Sequence, residues 1–287
     1  MTIEAVEFIQ QFRTPFFDLF FNFISFLGEE TMYMLVLAIV YFGIDKTKGE
    51  FLAFMLFTAG FLNGLLKGSI GAQRPFEKYP DRVTNLRPQT TGGSSFPSGH
   101  TQHFTTFLMG GALLLKQKKY IAIAIGMGLL MGLSRLYLGV HFLEDVLTSV
   151  VLGVITAYIG FYIFFTFYRY RLHMYLAGSI IALLVLFVID SHYYVSGISL
   201  FIGFTLAMIF EHKLVNVRFD PKLSHRITRV VVGLIVLGAT QALFSAITDN
   251  VYVEALFNVF LVFIGFGLYP MMIKLMQDRK QVKNPRK

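Results

Sequence analysis

Ten runs of apolar residues separated by short polar breaks dominate the chain. They fall at about residues 14–28, 31–44, 50–70, 99–116, 120–139, 142–168, 173–191, 195–211, 228–247 and 252–276. Most are close to the ~20 residues a helix needs to cross a bilayer. Lipid offers no partner to the open edge of a sheet, so the runs predict helices. The expected fold class is therefore all-α, a polytopic membrane helix bundle. The total is ten; the first two runs are short, and eight or nine helices are the alternatives. Residues 1–13 read as an amphipathic lead-in ending at Arg13. Gly60, Gly64 and Gly68 recur every four residues on the third helix, which is the pattern of a close-packing face. Asp18 and Asn22 place polar groups at possible membrane depth, although Asp18 can reach water from its end of the helix.

Composition agrees with this pattern. Hydrophobic residues make up 55% of the 287 positions, and the mean hydropathy is +0.62. With no cysteine, disulfides and thiolate metal sites are excluded. The first eleven residues hold two glutamates and no small-residue cleavage site, so the first membrane helix is expected to act as its own insertion signal. A net charge of +8 in a soluble protein would suggest nucleic acid. In a membrane protein it reflects the Lys and Arg that collect in cytoplasmic loops, so no nucleic-acid partner is expected.

The loop charges set an orientation. One set of loops holds Lys46 and Lys48, then Lys116, Lys118 and Lys119, then Arg169 and Arg171, then Lys213, Arg218, Lys222, Arg226 and Arg229, and finally the tail from Arg279 to Lys287. These alternate with loops carrying Glu29 and Glu30, Asp190 and Asp249. The positive-inside rule places the basic set and both termini in the cytoplasm. Lys67, Arg74, Lys78, Arg82, Arg87 and Arg135 break the pattern by falling on the outer side. An anionic substrate explains cations on that side better than topology does.

Three stretches carry candidate chemistry. Lys67 ends the third helix, with Arg74 and Pro75 just beyond it. Pro97-Ser98-Gly99-His100 opens the fourth helix, where Ser98 can cap and Gly99 lets a ligand approach the backbone N–H groups. Ser134-Arg135 closes the fifth helix, and His141 and Asp145 open the sixth. His141 and Asp145 are four apart and share a helix face, so the carboxylate can hold one ring nitrogen and leave the other nucleophilic. On its own this last stretch also fits a salt-linked pair at a helix end. By the loop charges, all three stretches reach the same outer face, together with the loop at residues 71–98. That convergence of two histidines, three cations and a carboxylate points to a phosphate site.

Lys67-x6-Arg74-Pro75, Pro97-Ser98-Gly99-His100 and Ser134-Arg135-x5-His141-x3-Asp145 together resemble the three-part signature of the type 2 phosphatidic acid phosphatase superfamily, in its integral-membrane branch. The resemblance covers roughly residues 14–168. It implies a metal-independent phosphomonoester or diphosphate hydrolase with a six-helix core and no cofactor. On this chain it makes His141 the nucleophile that forms a phosphohistidine. Asp145 orients that histidine, and His100 is the general acid and then the base. Lys67, Arg74, Ser98, Gly99 and Arg135 hold the phosphate. Drawing His100, His103, His141 and Asp145 as zinc ligands is the competing picture, and the three nearby cations oppose it.

The expected organisation is a phosphatase core at residues 1–170. About four further transmembrane helices and a basic cytoplasmic tail follow at residues 171–287. The substrate class is a membrane lipid phosphate or diphosphate: an isoprenoid diphosphate, phosphatidate, phosphatidylglycerol phosphate or a sphingoid phosphate. Hydrolysis is expected at the outer face, and the membrane is expected to be the plasma membrane. Asp190 and His192 are candidates for lining the site from the later helices, with a solvated helix end as the simpler reading. A phosphotransferase, a sugar phosphatase of the glucose 6-phosphatase type and a lipid transporter are the alternatives. The oligomeric state is left open.

Overall fold

The computed structural model describes residues 3–189, 191–245 and 250–283. Thirteen α-helices follow one another, with no strand among the described residues. They are α1 (Glu4–Gln10), α2 (Pro15–Phe26), α3 (Glu30–Ala38), α4 (Lys46–Ile70), α5 (Pro75–Lys78), α6 (Gly99–Leu115), α7 (Lys118–Tyr137), α8 (Leu143–Thr166), α9 (Arg171–Leu186), α10 (His192–Phe210), α11 (Leu223–Ser245), α12 (Val251–Phe263) and α13 (Tyr269–Lys283). Short π-helical segments extend α3 through Ile39–Ile44 and α10 through Glu211–Val215, and one joins α12 to α13 at Ile264–Leu268. All ten predicted helices are present. Asp190 and Asp249 lie outside the described residues.

Local chemistry sets the boundaries. Thr14 accepts the Phe17 N–H at the start of α2, and Pro15 fills the first position, where a missing N–H costs nothing. Asp45 caps α4 through the Lys48 N–H. Gly71 ends α4 in the left-handed conformation at φ 63°, and its N–H returns to the Lys67 carbonyl. Ser191 and Asn250 cap α10 and α12.

Seven helices are long and apolar enough to cross a membrane. α2 and α3 are long and apolar enough only as a pair, bent by 52° at a short break. Their contacts descend together, from the Tyr137 level at Phe21 to Phe107 at Tyr33 and the opposite end at Tyr41. α6, with 17 residues, completes the bundle. The first two runs together therefore span the bundle once rather than twice, which places the amino-terminal segment at the end opposite α13. Arg82 in the connection after α5 pairs with Glu7 on α1 at 2.5 Å. The Gln10 side chain bonds the Thr84 and Tyr137 carbonyls. α1 thus sits at the end that carries residues 71–98. At the opposite end α13 is tied down by Lys274 on the Val215 carbonyl at 2.5 Å and Gln277 on that of Arg218. The expectation that both termini share the face opposite the site is corrected for the amino-terminal helix.

The main hydrophobic core spans both halves of the chain. Phe51, Phe54, Phe57 and Phe164 pack with Tyr175, Phe204 and Phe266. α10 lies along α4 on the predicted glycine stripe. A Cβ on Gly64 would fall 2.5 Å from the Tyr193 carbonyl, and one on Gly197 would fall 2.7 Å from that of Gly60. Behind this contact a charged cluster is buried at the end opposite residues 71–98. Glu50 accepts from Arg171 at 2.8 Å, His212 at 2.9 Å and the Tyr175 hydroxyl at 3.1 Å. Glu211 meets Lys46 at 2.5 Å.

Candidate active site

The three candidate stretches converge at one end of the bundle. Lys67 lies in the last turn of α4, and Arg74 immediately precedes α5. Gly99 and His100 open α6, Arg135 lies in the last turn of α7, and His141 sits in the connection that starts α8. All six line one cavity.

Asp145 is built into its own helix start. Its Oδ2 accepts the Phe142 N–H at 2.8 Å and the Ser95 hydroxyl at 2.5 Å. The same oxygen lies 3.4 Å from His141 Nδ1, as does Ser95 Oγ. Placing the imidazole proton on Nδ1 satisfies these acceptors and leaves the lone pair on Nε2. Nε2 faces Arg74 Nη1 at 3.2 Å. His141 lies in a connection outside the spans on either side. Burial, and then the charges of Arg74, Lys67 and Arg135, hold its pKa well below the usual 6.5, so the ring is neutral in neutral solution.

The cations are fixed by the loop after α4. Arg74 donates to the carbonyls of Gly93 at 2.9 Å, Gly92 at 2.7 Å and Val140 at 2.9 Å. Lys67 donates to the Ser94 carbonyl and lies 5.5 Å from the Tyr193 ring centroid. Arg135 is fully buried, with one nitrogen on the Ser25 hydroxyl while Nε and Nη2 have no partner. The buried His100 Nε2 and Asp145 Oδ1 are also without partners. Two unsatisfied guanidinium nitrogens beside two further cations form an anion site, because buried N–H groups need acceptors.

Several contributors carry no signal in the sequence. Ser95 lies in the Gly92–Ser95 run, and nothing in the run signals that this serine meets Asp145. Ser25 and Tyr193 arrive from helices outside the three motifs. Arg87, one of the cations on the unexpected side, is occupied structurally by Glu29 and by the Asn22 side chain, the latter at 2.7 Å. Ser98 does not cap α6 as expected. Its hydroxyl pairs with Thr101 at 3.0 Å, and it is absent from the cavity wall. His103 lines the cavity with its Nε2 buried and unpartnered. Among the described residues, no three of His, Cys, Asp and Glu come together as a metal-ligand set.

A helical membrane bundle with a carboxylate-backed histidine beside three buried cations defines a class of membrane enzyme acting on phosphate. The chain belongs to the PAP2 superfamily, whose sequence model matches residues 50–169, and it is a phosphatase. It is 32% identical over 157 residues to phosphatidylglycerophosphatase B of Bacillus subtilis, covering 50% of this chain and 73% of that protein. It is 29% identical over 167 residues to the bacitracin transport permease protein BcrC of Bacillus licheniformis, covering 56% and 80%. The crystal structure of Aquifex aeolicus LpxE aligns with a TM-score of 0.45 at 29% identity, covering 55% of this chain and 93% of that one. Helices α9–α13 lie beyond the family match.

Proposed function

We propose that this protein hydrolyses a lipid phosphate or diphosphate through a phosphohistidine on His141. The observation that carries the proposal is the His141–Asp145–Ser95 group at the cationic end of a cavity that becomes largely apolar away from the cations. The phosphoryl oxygens take the free N–H groups of Arg135, with Lys67, Arg74 and the Gly99 backbone around them. Arg74 Nη1 turns from His141 Nε2 to the phosphate, which frees the lone pair for in-line attack. The P–N bond forms as the P–O bond to the lipid breaks, and the cations neutralise charge on the equatorial oxygens. Asp145 and Ser95 hold the Nδ1 proton as the ring gains positive charge. The negative charge of the bound phosphate favours a proton on His100 Nε2, and that proton passes to the leaving oxygen. His100 then takes a proton from water as the water oxygen attacks phosphorus and the P–N bond breaks.

The basic connections at the other end of the bundle support an extracytoplasmic site with α1 on the same side. The test is phosphate release, with EDTA present, from phosphatidate, phosphatidylglycerol phosphate, an isoprenoid diphosphate and a sphingoid phosphate. His141→Ala should reduce release roughly a thousandfold or more on any substrate the protein accepts. Wild-type rates in that variant would overturn the nucleophile assignment.

A further inference from the structure

The cavity that begins at the cations does not end there. It has a volume of about 550 Å³, and apart from Tyr33, whose buried hydroxyl has no partner, its deeper part is apolar. Along α4 the lining runs from Lys67 down to Leu56, about three helical turns or ~16 Å. Leu37 on α3 and Phe57 on α4 wall it on one side. Leu200, Leu237 and Leu261 wall it from α10, α11 and α12, which lie outside the family match. Asn63 and His103 mark the boundary between the polar and apolar parts.

The floor is built from two π-helical segments. Phe42 belongs to Ile39–Ile44, while Gly265 and Phe266 belong to Ile264–Leu268. The rings of Tyr41 and Phe266, one from each segment, lie 4.8 Å apart. Near the cationic end the wall is open, because Glu30 and Thr31 line the cavity and are also exposed.

A phosphate held at the cations leaves the substituent on its bridging oxygen facing this shaft. Water in an apolar shaft finds few partners, and a sugar would leave its hydroxyls unsatisfied there. A hydrocarbon chain buries apolar surface at no such cost. We propose that the shaft seats a hydrocarbon chain of the substrate between α3–α4 and α10–α12, and that the Phe42–Phe266 floor sets the chain length that fits. The later helices thereby take part in substrate selection. The proposal rests on the phosphatase reading for the position of the head group.

The test uses monoalkyl phosphates from hexyl to octadecyl, with phosphate release as the readout. For the wild type, kcat/KM should rise with length and then break where the chain reaches the floor. Leu200→Trp and Leu237→Trp should lower the ratio of long-chain to hexyl kcat/KM roughly tenfold. Phe266→Ala should move the break to longer chains. Ile235→Trp, on the exposed face of α11, should leave the whole profile unchanged. An unaltered profile in all three shaft variants, or an equal change in Ile235→Trp, would overturn the proposal.

A second measurement does not depend on turnover. A dodecyl phosphate with a diazirine at the chain end is photolysed on His141→Ala, and the adducts are mapped by peptide mass spectrometry. Adducts on the peptides holding Leu237, Leu261 or Phe266 support the seat. Adducts confined to the lipid-facing sides of α7 and α8 would overturn it. If the wild type releases no phosphate from any chain length, the phosphatase reading fails, and the crosslink still decides whether the shaft holds a chain.

Discussion

At the scale of single residues, the spacing of four drew attention to His141 and Asp145, but His141 precedes α8 rather than sharing a helix face, and the two meet because Asp145 folds back on the helix start to accept the Phe142 N–H. Ser95 was not legible, because its contact with Asp145 closes fifty residues of chain and depends on how the loop after α4 folds back. Ser95→Ala removes the 2.5 Å hydrogen bond and leaves the carboxylate less firmly aimed at Nδ1. It should lower kcat roughly tenfold with a smaller change in KM, and Asp145→Asn should lower kcat further. Steady-state kinetics on any accepted lipid phosphate would decide this; equal KM and kcat effects would make the serine a binding contact. The neutral state of His141 has a pH consequence. Its lowered pKa means that protonation, and loss of the proposed nucleophile, come only as the pH falls below the usual 6.5. The nucleophile's acid limb in kcat/KM should therefore lie below that value. Arg135→Lys should not rescue function, since an ammonium keeps the charge and loses the planar fork whose Nε and Nη2 are unfilled.

At the scale of elements, apolar runs located the long helices, missed the short α5 in the loop after α4, merged α12 with α13, and did not show how the first two pack. Length and hydropathy do not show a bend. The polar face of α2 held the missing information: Asp18 accepts the Tyr137 hydroxyl at 2.5 Å, Asn22 holds Arg87, and Ser25 holds Arg135. These three residues lie on one side of the helix and turn it towards the site. The absence of native cysteine makes the resulting topology simple to test. Glu4→Cys and Gln89→Cys, both exposed positions, should react with an impermeant maleimide from the same side of the membrane. Lys118→Cys, at the start of α7, should react only from the other side. Opposite labelling of Glu4→Cys and Gln89→Cys would restore the two-pass arrangement.

For the whole molecule, the family core and the later helices form one packed body, and the Glu50 cluster pins their junction. Glu50 comes from α4, Arg171 and Tyr175 from α9, and His212 from the π-helical end of α10. Nothing in the spacing of these residues announced the cluster, because Glu50 stands more than a hundred positions from each of its partners. Glu50→Ala would leave a largely buried guanidinium without its partner, at a cost of about 3–5 kcal/mol. Thermal unfolding in detergent should show a clear fall in midpoint for this variant. Tyr175→Phe, which removes one neutral donor, should cost only about 1 kcal/mol. The contact of α10 with α4 also gives a diagnostic for other chains. Gly64 and Gly68 are kept small here by Tyr193 and Ser191, residues of the added segment and not of the catalytic motifs. A chain that carries the three motifs and stops after α8 has nothing to seat there and is free to place bulky side chains at both positions. Those two positions should therefore sort long architectures from short ones across the superfamily by residue size alone.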